Sequence, residues 1–173
     1  MFSNHKKRKM KLSHSSQIAQ GTPMKFTFSI DIHSPPAVVF SWVENPQKAM
    51  QWMTSVARGE ILHETPERIG TTFREVVEEN GSGVEIQGII TGYEPEHSIS
   101  FHLESRVNVV VVKYHVEAVQ NGSRLTQTAN VRWKFPVNVL SLFMGAKIKQ
   151  GISAQAQKEF GKLKELCESG MEG

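Results

Sequence analysis

Glu75 stands in the stretch FREVV, on the same strand phase as Phe73 and Val77, so one face would carry a carboxylate between apolar neighbours. Buried without a partner, a carboxyl holds its proton to higher pH and can serve as an acid or base. Val76 lies on the opposite phase, however, and a bulge or an edge position would put Glu75 in water. Tyr114 and Gln127 are polar tips in otherwise apolar stripes. The first lies with Val110, Val112, Val116 and Ala118, the second with Leu125, Ala129, Val131 and Trp133. That composition suits a wall that orients a mostly apolar ligand; it equally suits a filled core with a satisfied hydroxyl and amide. His63 faces inward if it follows Ile61, and outward if Leu62 is the core residue. Glu75, Tyr114 and His63 are therefore the candidates for proton transfer.

Other chemistry finds little support. The seven histidines, among them His97, His102 and His115, form no metal-ligand spacing with cysteine or acids, so neither a metal nor a cofactor is expected. The single cysteine, Cys167, excludes an intramolecular disulfide and has no histidine partner in sequence for nucleophilic chemistry. Gly81, Gly83 and Gly88 lie in a hairpin pattern, where a phosphate cradle needs a strand-to-helix turn.

The elements that must position the candidates follow from periodicity. KFTFSIDI alternates, with Phe26, Phe28, Ile30 and Ile32 on one face. Ser34 is placed to cap a helix opened by Pro35 and Pro36, whose missing amide hydrogens fall where the first turn needs none. Val38, Val39, Trp42 and Val43 form its apolar stripe. Asn45 and Pro46 repeat the signal for a second short helix to about residue 53. Strands are then predicted over 59–64, 71–80, 83–94, 98–105, 108–119 and 123–135, with Asn80-Gly81 and Asn121-Gly122 as hairpin turns. From Val137 to Cys167 the period changes to that of an amphipathic helix free of proline. About thirty residues make a rod roughly 45 Å long.

The 173 residues suit one domain. Residues 1–24 hold five bases and no acid, which leaves 15 bases against 17 acids in the remainder. The organisation expected is a flexible basic extension over 1–24, a domain over 25–168 and a flexible tail over 169–173. KKRKMK can attract nucleic acid or anionic lipid by charge alone. No basic, aromatic-interleaved groove follows it, so no nucleic-acid partner is expected. No apolar run reaches eighteen residues, so stable membrane insertion is not expected either, and a cytoplasmic location is.

The pattern FTFSIDIHSPPAVVFSWVENPQKAMQWM, with the six-strand meander and the terminal helix, resembles the START-like superfamily of polyketide cyclase/dehydratase and lipid-transfer proteins. The likeness covers nearly all of residues 25–168. It implies an α+β helix-grip fold, a curved seven-stranded antiparallel sheet around the long helix, with a cavity between sheet and helix for hydrophobic or amphipathic molecules. A straight rod about 10 Å wide cannot fill such a hollow evenly. Expected cavity residues from the short helices are Trp42, Met50 and Trp52. The strands would add Phe73, Phe101, Val112, Tyr114, Gln127, Ala129 and Trp133, and the long helix Phe143, Met144, Ile148 and Ile152. Methionine thioethers suit an adaptable mouth or floor.

Three functions fit. The first is a carrier or sensor of a small hydrophobic or amphipathic ligand. The second is a cyclase- or dehydratase-like enzyme using general acid/base groups in the same cavity. The third is an interaction or homodimerisation domain, for which Val109 and Val111 on the outer phase would supply an apolar surface.

Overall fold

In the computed structural model, which describes residues 23–79 and 82–169, the alternating N-terminal stretch is strand β1 (Met24–Ile32). Helices α1 (Pro36–Glu44) and α2 (Pro46–Trp52) follow. Then come β2 (Val56–His63), β3 (Thr72–Glu79), β4 (Ser82–Glu94), β5 (Ser98–Ser105), β6 (Asn108–Val119), β7 (Gly122–Trp133) and α3 (Val137–Ser169). The strands form one antiparallel sheet in the order β1-β7-β6-β5-β4-β3-β2. The helix-grip architecture is thus present, with the element order the periodicity predicts. The Asn80-Gly81 turn lies outside the described residues.

Asn45 caps α2 as its position suggests: its side-chain oxygen accepts from the backbone N–H groups of Gln47 and Lys48 at 3.0 and 3.1 Å. Ser34 does not cap α1; Pro35 holds that position. The buried Ser34 hydroxyl instead donates to the Cys167 carbonyl at 2.8 Å, and the Ser123 hydroxyl donates to the Ser34 carbonyl at 2.6 Å. A local signal is overridden by a tie between the start of α1, the end of α3 and β7.

The core gathers Ile32, Val39, Phe40, Val43, Trp52, Ile99, Val116 and Leu125 with Phe160, Leu163 and Cys167 of α3. Phe40, rather than the exposed Val38, completes the buried stripe of α1. Only the C-terminal half of α3 joins this core; Val139, Leu140, Phe143 and Met144 near its start are exposed. Glu159 fixes the helix midway, accepting from the Ser55 N–H and hydroxyl at 3.0 and 2.9 Å and from the Gln155 amide at 2.7 Å. Burial pushes the Cys167 thiol up to about 12, which leaves it an inert packing group. On the outer face, Val111 is exposed and Val109 half-buried. Among the described residues no helix is long and apolar enough to cross a membrane.

Candidate ligand cavity

A cavity of about 520 Å³ opens between α2 and the concave side of β2 to β6. Buried Trp52, Thr71, Phe73, Ile90, Val112 and Tyr114 line its interior, and exposed Asn45, Gln47, Met50, Ile61 and Glu64 mark its mouth.

Three local features create the space. Phe73 pairs in register with Gly88, and a Cβ on Gly88 would overlap the Phe73 ring; glycine lets the ring lie across the neighbouring strand. Phe73, Phe101, Tyr114 and Trp52 then form a chain of edge-on aromatic contacts, with centroids 5.8, 6.3 and 6.2 Å apart. Gly59 faces Glu75 across the β2–β3 pair, and a Cβ there would sit 3.6 Å from both Glu75 Cγ and Met50 Sδ. The missing side chain leaves room for the Glu75 carboxyl beneath the lip formed by Met50.

Glu75 is half-buried on this wall and makes no hydrogen bond or ion pair among the described residues. Burial pushes its carboxyl up to about 7: the apolar surroundings penalise the charged form, and no cation among the described residues pairs with it. Tyr114 accepts a hydrogen bond from the Gln127 amide at 2.7 Å, and burial raises its phenol above the ordinary value.

The far rim is tied by Arg68, in the turn between β2 and β3. Its Nη2 donates to the Glu44 carbonyl at 2.8 Å, its guanidinium lies 5.6 Å from the Tyr93 ring centre, and Nη1 is 3.5 Å from Glu64. Tyr93 donates to Glu44 Oε2 at 2.6 Å, a bond that raises the phenol's pKa. The end of α1, the turn and β4 thus form one rigid corner.

Of the residues expected from sequence, the cavity brings together Glu75, Tyr114, Met50, Trp52, Phe73, Phe101 and Val112. The others lie elsewhere. A register shift between Ile61 and His63 breaks the strand alternation, and His63 is exposed outside the cavity. Trp42 packs beside it, with its carbonyl accepting from Trp52 Nε1–H at 2.9 Å and the Lys48 ammonium 5.3 Å from its ring centre. Gln127 stands behind Tyr114, and Ala129 packs against the core. Trp133 donates to Met24 Sδ at 3.3 Å near the β1 edge. Phe143 and Met144 are exposed, Ile148 and Ile152 are half-buried, and among the described residues none from α3 lines the cavity. The wall expected from the long helix is supplied by α2. Glu44, Arg68, Thr71, Ile90 and Leu103 are among the lining residues that were not anticipated. The Arg68–Glu44 and Tyr93–Glu44 contacts span 24 and 49 residues, beyond the reach of any local pattern.

Comparison with known proteins places this geometry. No curated protein sequence matches the chain. Among solved structures, the Thermus thermophilus protein TTHA0849 superposes with a TM-score of 0.71 at 14% identity, over 87% of this chain and 99% of that one. Ara h 8.0201 gives 0.65 at 16% identity, over 86% and 99%. The di-domain ARO/CYC StfQ from the steffimycin biosynthetic pathway gives 0.72 at 13% identity, over 85% of this chain and 52% of that one. At these identities the likeness is one of fold. Residues 23–168 match the family profile described as polyketide cyclase / dehydrase and lipid transport, and with the helix-grip fold around a largely apolar cavity, the chain belongs to that START-like family.

Proposed function

We propose that the chain is a carrier or sensor that holds a small hydrophobic or amphipathic molecule in the cavity between α2 and the sheet. The observation that carries this reading is the cavity itself: about 520 Å³, within the roughly 300–1,000 Å³ typical of small-molecule sites. Aromatic and aliphatic residues form most of its interior, and one carboxyl without a partner among the described residues, Glu75, can orient a polar end of the guest. Adding fatty, aromatic and polyketide-like compounds to the full chain tests the reading by native mass spectrometry. Trp52 lines the cavity, so its fluorescence should shift in parallel. Failure of every class to bind, with unchanged Trp52 emission, removes the reading.

A second reading, an enzyme using acid/base chemistry, is favoured by one observation: a carboxyl, Glu75, stands on the cavity wall, where burial pushes it up to about 7, the range in which a proton donor or acceptor is most effective. Turnover of polyketide-like substrates by the parent and by Glu75→Gln separates the two. Loss of turnover with retained binding supports the enzyme, whereas equal turnover removes Glu75 from the mechanism.

A further inference from the structure

The first turns of α3 carry apolar residues that the domain leaves uncovered. Phe143 is 84% exposed, Phe135 just before the helix 65%, and Leu140 55%, with Val139 and Met144 also exposed. At helical spacing Val139, Leu140, Phe143 and Met144 share one side, and Lys147 follows on that same side one turn later. Phe143 is the most exposed large apolar residue of the described chain, which core packing does not account for.

Charge indicates what covers this side. From residue 118 to 158 the chain has six bases and no acid. Lys147 and Lys149 are exposed and form no ion pair among the described residues. Lys134, next to Phe135, has Glu104 at 2.6 Å, so the free positive charge lies at the Lys147 end. Amphipathic helices bury their apolar face about 5–10 Å into the headgroup and acyl boundary. With the start of α3 lying in the interface plane, Leu140, Phe143 and Met144 would face the acyl chains, while the long stems of Lys147 and Lys149 let their ammonium groups reach the phosphates. A two-fold contact between copies of the chain is less well matched, because it would bring two sets of Lys147 and Lys149 together without a counter-charge.

We propose that the exposed face formed by Phe135 and the first turns of α3 is a peripheral docking surface for an anionic lipid bilayer. Docking here is independent of what occupies the cavity, since no described α3 residue lines it.

Co-sedimentation of the full chain with phosphatidylcholine vesicles, with and without added phosphatidylglycerol, tests the surface. The chain should bind the mixed vesicles, bind them less as salt rises, and stay in solution with phosphatidylcholine alone. Leu140→Ser with Phe143→Ser should weaken binding about tenfold or more, and Lys147→Glu with Lys149→Glu should remove the preference for anionic vesicles. Circular dichroism confirms the fold of each variant, and Phe143→Lys is a second probe of the same position. The proposal is overturned if the parent does not bind, if it binds neutral vesicles equally well, or if the serine variant binds like the parent. That last result would assign the affinity to other bases, such as Lys6 to Lys11. It is also overturned if the parent self-associates without lipid and Phe143→Lys makes it monomeric, because the face then belongs to a second copy.

Discussion

Glu75 shows how one side chain's environment becomes a measurable property. Its carboxyl has an ordinary value of 4.5 and is pushed up to about 7 in the fold by burial. Between those values the folded chain holds a proton that the unfolded chain has released, so the fold loses stability as pH rises through this window. The penalty is absent below the unfolded value and complete above about 7, with an upper size of about 3 kcal/mol. Glu75→Gln keeps the shape and removes the ionisation. Urea unfolding at a series of pH values should show the variant gaining on the parent from about pH 5 to about pH 8 by up to that amount. A constant difference across the range would show that Glu75 ionises in the folded protein as it does in the unfolded chain, with no upward push from burial. The strand phase shared with Phe73 was legible in the sequence; the absence of a partner was not, because it depends on what α2 and β2 set opposite.

At the scale of elements, strands and helices were readable because each carries its own period. All seven strands and three helices lie close to where alternation, cap residues and prolines place them. What periodicity does not carry is which part of an amphipathic helix finds a partner. The 33 residues of α3 show apolar repeats at both ends, yet the sheet and short helices cover only the second half, around Phe160, Leu163 and Cys167. Hence Phe143, Met144, Ile148 and Ile152 suit a cavity wall by pattern and stand away from it in space. The two halves should differ sharply on truncation. Leu163→Ala opens a hole in the core and should cost about 2–5 kcal/mol. Phe143→Ala should change stability by less than about 0.5 kcal/mol, although phenylalanine is the larger residue. Comparable losses in chemical denaturation would mean that the start of α3 is packed in solution.

For the molecule as a whole, the sequence supports a curved sheet that one helix cannot fill, while the location of the unfilled space depends on long-range ties. The Arg68–Glu44–Tyr93 corner and the Glu159–Ser55 clamp hold α2 against the edge of the sheet, and the cavity forms beneath it instead of beneath α3. If that space is where a ligand sits, filling it from the protein side should abolish binding without harming the fold. Gly59 is suited to this, since a Cβ there meets only ordinary van der Waals neighbours at 3.6 Å or more and its position lines the cavity. Gly59→Leu would extend a branched side chain into the hollow beside Glu75 Cγ and Met50 Sδ, the side-chain atoms a Cβ there meets, add apolar burial and remove a glycine from a strand. Thermal unfolding should therefore stay at or above the parent midpoint, while compounds that bind the parent fail to bind the variant in native mass spectrometry. A variant that retains its fold and still binds those compounds would place the ligand elsewhere, leaving this hollow as a packing gap.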